Sequence, residues 1–178
     1  MKKLLKKWKT YLLRESLNNY DVGGTVKLYH YSRSNGEILM LDPEYFLTHR
    51  NPYSRKDYNT SDIPRVFFYV DPTHAEAIVK QDSFLYVTEV PIGDVYDLSE
   101  DPLDLLRKSA PYPEIPVPDH DRVLRSLAAK PRKVVYGTAP ESLLEPDQGS
   151  YKGAFYRLQG MDIVVWFEPI KVQRTEAK

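Results

Sequence analysis

Short runs of apolar and β-branched side chains, bounded by turn residues, are the commonest pattern along the chain. Such runs predict β-strands, because branched and aromatic side chains suit a pleated, half-buried surface. The longest predicted strand, 162–173, is interrupted by Pro169, which lacks the N–H group that an inner strand needs. The other predicted strands are 25–32, 65–70, 84–91, 95–98 and 134–136.

Helical periodicity is confined to a few segments. Residues 2–17 carry apolar side chains on one side at helical spacing and lysines around the other, which predicts an amphipathic helix. Shorter helices are predicted at 74–80, 102–108 and 120–129. Because strands and helices do not alternate regularly, the pattern indicates an α+β fold rather than a doubly wound parallel sheet.

Two stretches of turn residues divide the chain. The first ends at Gly23-Gly24 and predicts a hinge, so that residues 1–22 form a basic N-terminal helix with its hinge and residues 23–178 form the domain. The second covers residues 44–64, and a segment of that length without its own periodicity is typical of a functional loop. We expect this segment to be the most mobile part of the domain and to close over a ligand.

Charge is distributed unevenly. The formal net charge is zero, but the first 16 residues hold six lysine or arginine side chains and a single acid. The remainder is therefore mildly acidic, which argues against a general nucleic-acid binder. No apolar run approaches the roughly 20 residues that span a bilayer, so we expect no stable membrane insertion.

The sequence lacks the familiar signatures of several kinds of site. With no cysteine, the chain has no disulfide, no thiolate metal site and no cysteine nucleophile, which fits a reducing compartment. It contains neither a GxGxxG fingerprint nor a P-loop. The four histidines are scattered without paired metal-ligand spacing, and we therefore expect no metal site.

Three segments, in this order and spacing, resemble the NAD-using ADP-ribosyltransferases, particularly those carried in polyvalent proteins of phages and mobile elements. The resemblance covers residues 25–98, and the later segment 95–98 also resembles the family. The segments are Leu28-Tyr29-His30-Tyr31-Ser32, Leu39-Met40-Leu41-Asp42-Pro43 and Pro64-Arg65-Val66-Phe67-Phe68-Tyr69-Val70-Asp71 with the short helix after it.

The resemblance implies a split β-sheet core with short flanking helices, and NAD as the substrate without a metal. It assigns the ribose hydroxyls and the carboxamide of NAD to His30, Tyr31 and Ser32 on the first strand. An aromatic side chain on the next family strand would stack on the nicotinamide: Tyr69, or Phe68 if the register differs by one residue, since a one-residue slip exchanges the faces of a strand.

The resemblance also implies charged partners for the pyrophosphate and for the reacting ribose. Arg55 or Arg65 would pair with the pyrophosphate. A late acidic residue would hold a ribose hydroxyl while the glycosidic bond breaks through an oxocarbenium-like state, which the enzyme stabilises by positioning and charge. Glu168 is the first candidate, and Asp162 and Gln159 are the alternatives.

The expected function is mono-ADP-ribosyl transfer from NAD to a host protein or nucleic acid, in the host cytoplasm or in association with a virion. One alternative is a catalytically silent domain of the same fold that acts as a virion or interaction protein. Another is an RNA 2′-phosphotransferase, which would need several basic residues around the cleft. Each named side chain also has a purely structural interpretation, and the oligomeric state is open.

Overall fold

The computed structural model describes residues 16–32, 38–48, 63–76, 84–109, 120–128, 151–158 and 160–175. The strands are β1 (Thr25–Ser32), β2 (Met40–Leu41), β3 (Val66–Tyr69), β4 (Phe84–Pro91), β5 (Val95–Asp97), β6 (Gly153–Leu158), β7 (Met161–Trp166), β8 (Ile170–Lys171) and β9 (Gln173–Thr175). The helices are α1 (Pro43–Thr48), α2 (Pro72–Glu76), α3 (Leu105–Ser109) and α4 (His120–Ala128), with 3₁₀ turns at Leu17–Tyr20 and Ile92–Asp94.

Seven strands form one mixed sheet in the order β5-β6-β7-β3-β1-β4-β9. The β5–β6 pair is parallel, and the other neighbours in this sheet are antiparallel. Strands β2 and β8 form a separate two-stranded sheet. The α+β class predicted from the sequence is confirmed.

The large sheet is weakly joined in its middle. Strand β1 pairs with β4 along its whole length, from Thr25 to Ser32, and β3 pairs with β7 along its whole length. Between β1 and β3, in contrast, the described register consists of Tyr29 opposite Tyr69. Two sub-sheets, β5-β6-β7-β3 and β1-β4-β9, therefore meet at this one registered pair.

Each face of the large sheet has its own core. We call the face that carries Phe68 and Val164 the first face; Leu17, Leu41 and Ile170 pack against it from outside the large sheet. The second face carries side chains of β5, β6 and β7 that pack under α3 and α4. Removal of this apolar surface from water is the main stabilisation of both layers. The second-face core consists of Ile63, Tyr96, Leu98, Leu105, Val123, Leu124, Leu127, Ala154 and Val165.

Several sequence predictions agree closely with the described elements. Strands β1 and β4 have the predicted bounds, and β5, α3 and α4 lie where an element of their type is expected. The predicted strand 162–173 is instead three pieces, β7, β8 and β9, with breaks on either side of β8. Strand β6 was not predicted, and α1 lies at the start of the segment expected to be a long loop.

Some predictions concern residues outside the described part of the chain. These are most of the N-terminal helix 2–17, the strand 134–136, and residues 49–62 of the expected lid. Residues 17–20, assigned from the sequence to the N-terminal segment, form a turn on the body of the domain, where Leu17 is 2% exposed. Within the described residues, no helix has the length and apolar character required to cross a membrane.

Candidate functional site

A cavity of about 380 Å³ opens beside the point where β3 ends and β7 begins. Its walls come from the first 3₁₀ turn, from the residues after β3, and from the β6–β7 hairpin. The lining residues are mostly polar or charged, although the adjoining first-face core is apolar. The lining residues are Asn19, Tyr20, Asp71, His74, Arg157, Gly160 and Asp162.

Asp162 is the most buried charged side chain in the cavity wall, with no exposed surface. Arg157 stands directly opposite it in the β6–β7 register, and its Nε donates to Asp162 Oδ1 at 2.8 Å while its terminal nitrogen donates to Oδ2 at 3.3 Å. A two-point bond of this kind fixes both the charge and the orientation of the carboxylate. The hairpin that aligns the pair turns at Gly160, whose φ of 82° suits glycine.

Tyr20 contacts the Asp162 carboxylate as well. Its hydroxyl donates to Asp162 Oδ2 at 2.5 Å, and its ring lies 6.3 Å from the ring of Phe155. Burial, followed by the hydrogen bond and the charge of Asp162, raises the pKa of Tyr20 well above its ordinary value. The hydroxyl therefore keeps its proton and serves as a donor.

The turn that carries Tyr20 is anchored on the domain. The carboxylate of Asp97 accepts a hydrogen bond from the Leu17 backbone N–H at 2.7 Å and one from the Ser16 hydroxyl at 3.4 Å. The same carboxylate accepts the Ser99 backbone N–H at 2.8 Å. These contacts, together with burial of Leu17, hold the Tyr20 side chain against the cavity.

Asp71 and His74 form the wall on the β3 side. Asp71 Oδ1 accepts bonds from the backbone N–H and hydroxyl of Thr73, at 2.9 and 2.7 Å, an arrangement that starts α2. His74 lies one residue further along α2. Its Nδ1 atom is buried and has no hydrogen-bond partner among the described residues. A buried polar atom without a partner costs free energy.

His30 lies in the seam between the two sub-sheets. Its ring is 5.7 Å from that of Phe68, and its Nδ1 donates to the Phe67 carbonyl at 2.9 Å. In a continuous ladder that carbonyl would face Tyr31, so the imidazole supplies a bond where the strands separate. Burial lowers the pKa of His30, so its ring is neutral at physiological pH.

The two candidates for the stacking residue lie on different faces of the sheet. Phe68 shares the first face with His30, whereas Tyr69 pairs with Tyr29 on the second face, to which Tyr31 also belongs. Ser32 is on the His30 side of β1, at its end, and is half-buried. The strand geometry therefore brings His30 together with Phe68 and separates both from Tyr69 and Tyr31.

The proposed pyrophosphate partners lie away from the cavity or outside the described residues. Arg65 is 5% exposed, precedes β3, and has its guanidinium carbon 5.1 Å from the centre of the Phe67 ring. That contact is a cation–π interaction. Arg55 and Gln159 fall outside the described residues.

Glu168 follows β7 at the end remote from the cavity. It is half-buried and acts electrostatically on Lys152, whose Nζ bonds Asp94 at 2.8 Å. Asp94, and to a smaller extent Glu168, raise the pKa of Lys152. From the strand register, Asp162 lies about 12 Å and Glu168 about 16 Å from His30, measured between backbones with standard sheet spacings.

The structure also assembles residues that the sequence did not single out. Tyr20 was treated as part of a hinge, and Arg157, Asp71 and His74 were not considered as site residues. An available signal was the charged pair Arg157 and Asp162 on either side of a glycine turn in an otherwise apolar hairpin. Opposite charges in such a hairpin can face each other across the strands.

Within the described ranges, no group of three or more histidine, aspartate or glutamate side chains is arranged to hold a metal ion. Comparison of the chain with protein-family models, with curated proteins and with solved structures finds no match.

Proposed function

We propose that this chain binds NAD and transfers its ADP-ribose to an acceptor, with the reacting ribose held at Asp162. The observation that carries the proposal is a fully buried carboxylate in the wall of a cavity lined mostly by polar and charged residues, on the same sheet face as His30 and Phe68. A buried charge at the edge of a concave polar cavity is a common feature of binding and catalytic sites.

The chemistry required is electrostatic. Cleavage of the bond between nicotinamide and ribose develops positive charge on the sugar, and a fixed carboxylate in a water-poor site stabilises that charge. Asp162 is oriented by Arg157 and screened from bulk water by burial. Asp162 belongs to the lining of the cavity, where a ribose would enter.

Tyr20 supports the same assignment. It donates a hydroxyl hydrogen bond to Asp162, which is the kind of bond that a ribose hydroxyl would make. A ribose can therefore replace the phenol with little change in the number of hydrogen bonds. The exchange keeps Asp162 charged and bonded throughout, which avoids the cost of an unpaired buried carboxylate.

The seam between the two sub-sheets supports the part of the proposal that concerns binding of NAD. A single registered pair joins β1 to β3, so the strands can accommodate a ligand there without breaking a long ladder. His30 and Phe68 line this seam on the first face. We assign the nicotinamide contact to Phe68 rather than Tyr69 because Phe68 shares a face with His30. We assign the acidic role to Asp162 rather than Glu168 because Asp162 lines the cavity.

A catalytically silent domain of this fold is the second candidate. It is favoured by the bonds that already satisfy the central groups: His30 Nδ1 on the Phe67 carbonyl, and Asp162 on Arg157. RNA 2′-phosphotransfer has less support, because Arg157 and His74 are the basic side chains among the described residues that line the cavity.

The experiment is release of nicotinamide from NAD by the purified chain, with Asp162→Asn and Glu168→Gln as a matched pair of neutral amides. We expect wild type and Glu168→Gln to release nicotinamide at similar rates, and Asp162→Asn to be slower by about 100-fold, in the range for loss of one preorganised electrostatic group. Thermal melts of each variant confirm that it is folded at the assay temperature.

Two outcomes contradict the proposal. Wild type that neither binds NAD nor releases nicotinamide favours the silent domain. Activity that survives in Asp162→Asn and is lost in Glu168→Gln assigns the acidic role to Glu168 and removes the cavity from the reaction.

A further inference from the structure

Asp162 belongs to the cavity lining but has almost no surface that a ligand can touch. The whole residue is 0% exposed and its side chain is 1% exposed. Arg157 bonds both carboxylate oxygens, and the Tyr20 hydroxyl bonds Oδ2. A ribose hydroxyl can therefore reach this carboxylate only when one of these two side chains gives up its bond.

Arg157 is the partner that stays. It lies directly opposite Asp162 in the antiparallel β6–β7 pair and carries the opposite charge. Its side chain is 21% exposed, so withdrawal would separate two opposite charges in mostly buried positions, which is a large cost. The paired backbones also keep the two side chains opposite each other.

Tyr20 is the partner that can leave. It gives the carboxylate one hydrogen bond and no charge. Its 3₁₀ turn is not a strand of the large sheet, so withdrawal of the side chain breaks no backbone ladder. The turn begins on Asp97, but it is joined to β1 through Gly23 and Gly24, whose φ values of 66° and 87° suit glycine. The Tyr20 end is thus followed by the most adaptable type of backbone.

We infer that Tyr20 is an autoinhibitory cover of the NAD site: its phenol takes the place of a ribose hydroxyl on Asp162 and withdraws before NAD binds there. The inference rests on the proposed binding of NAD at Asp162. In the closed state, which the structure shows, the phenol bonds the carboxylate. In the open state the carboxylate faces the cavity. NAD binds the open state, so its measured affinity falls with the open fraction.

Removal of the phenol hydroxyl shifts this equilibrium in a defined direction. Tyr20→Phe keeps the ring that packs near Phe155 and deletes the bond that holds the closed state. A hydrogen bond to a charged acceptor is worth about a factor of 10 in an equilibrium constant. The open fraction, and with it the affinity for NAD, should therefore rise about 10-fold, which is the reverse of what loss of a ligand contact produces.

The test measures opening of the full chain both without and with NAD. Carbodiimide and glycine ethyl ester convert accessible carboxylates to amides, and mass spectrometry gives the labelling rate of Asp162 relative to the half-buried Glu168. Calorimetric titration gives the NAD dissociation constant of the same proteins. Ile63→Val, a change in the second-face core, is the control for a general loss of stability.

We expect Tyr20→Phe to label Asp162 about 10-fold faster and to bind NAD about 10-fold more tightly than wild type, with Ile63→Val within about twofold of wild type in both. An unchanged labelling rate, or an equal increase in Ile63→Val, would mean that Tyr20 is not the cover. Faster labelling with unchanged or weaker NAD binding would mean that Tyr20 does not compete with NAD. Either result overturns the inference.

Failure of the proposed function gives a different pattern. If no variant binds NAD at millimolar concentration while Tyr20→Phe still labels Asp162 faster, the cover exists but NAD is not its competitor, and autoinhibition is overturned together with the proposed function. If every variant binds NAD and only the response to Tyr20→Phe is absent, the proposed function stands without the cover.

Discussion

Strand β7 carries an acidic residue at its start and is followed by another beyond its end, and the two lie in opposite environments. Asp162 is completely buried, bonded by Arg157 and Tyr20, and forms the wall of a cavity. Glu168 is half-buried beside Lys152, whose own ion pair with Asp94 is 41% and 26% exposed at the two side chains. At roughly 3.3 Å per residue, the two acids are up to about 20 Å apart.

The difference shows how the same type of side chain meets different electrostatic conditions along one strand. At the Asp162 end, the low-dielectric surroundings make every charge interaction strong, and each charged group needs a defined partner. At the Glu168 end, solvent screens the charges, and exposed ion pairs contribute little. In the proposed reaction, the carboxylate that acts on the developing charge is therefore the one at the Asp162 end.

Replacement of the two acids by amides should give the largest contrast in stability. Asp162→Asn leaves Arg157 without a carboxylate in a mostly buried position, and loss of one partner of a buried pair costs about 3–5 kcal/mol. Glu168→Gln should change the free energy of unfolding by less than about 0.5 kcal/mol. Urea unfolding at pH 7 measures both values.

The ion pair itself provides the control. In a double-mutant cycle, Arg157→Gln added to Asp162→Asn should recover part of the loss, because the unpaired charge is then removed. If Asp162→Asn and Glu168→Gln have the same free energy of unfolding, the electrostatic environments of the two ends of β7 do not differ as described.

A smaller effect is expected at Tyr20. Tyr20→Phe removes one hydrogen bond to a charged acceptor and should cost about 1–2 kcal/mol at pH 8. The raised pKa of Tyr20 means that the folded state holds the phenolic proton more tightly than the unfolded state does. The stabilisation is therefore complete below the ordinary tyrosine pKa of about 10 and is lost as the pH rises above it.

Unfolding of wild type and Tyr20→Phe at pH 8 and pH 11 measures this dependence. The difference in free energy of unfolding should be smaller at the higher pH. An equal difference at both values would mean that the hydrogen bond to Asp162 does not control the protonation of Tyr20.

The sheet was largely predictable because its strands have strong local patterns. Residues 25–32 and 84–91 alternate and contain many β-formers, and each forms a strand of those bounds. Strand β6 was not predicted because it begins at Gly153, a residue that usually weakens strands. There a Cβ atom would lie 2.7 Å from the Trp166 ring and 2.8 Å from the Val165 carbonyl, so close packing selects glycine. Such a contact between distant residues leaves no local signal.

The site was less predictable than the sheet. The sequence named His30, placed Tyr69 before Phe68 for the stacking role and Glu168 before Asp162 and Gln159 for the acidic role. It named no other residue of the cavity lining. Which face a residue occupies depends on register, and which end of a strand meets a cavity depends on the chain that covers it. Tyr20 reaches Asp162 only because Leu17 is buried and Asp97 holds the turn, and these contacts join residues about 80 positions apart.

The central claim is that the Asp162 end of β7, and not the Glu168 end, binds NAD. Titration of the ¹⁵N-labelled chain with NAD tests it directly, since each end carries assignable backbone amides. We expect the amide signals of Tyr20, His74 and Asp162 to shift in a saturable manner while those of Lys152 and Glu168 stay in place. Shifts confined to Lys152 and Glu168, or no shift at millimolar NAD, would contradict it.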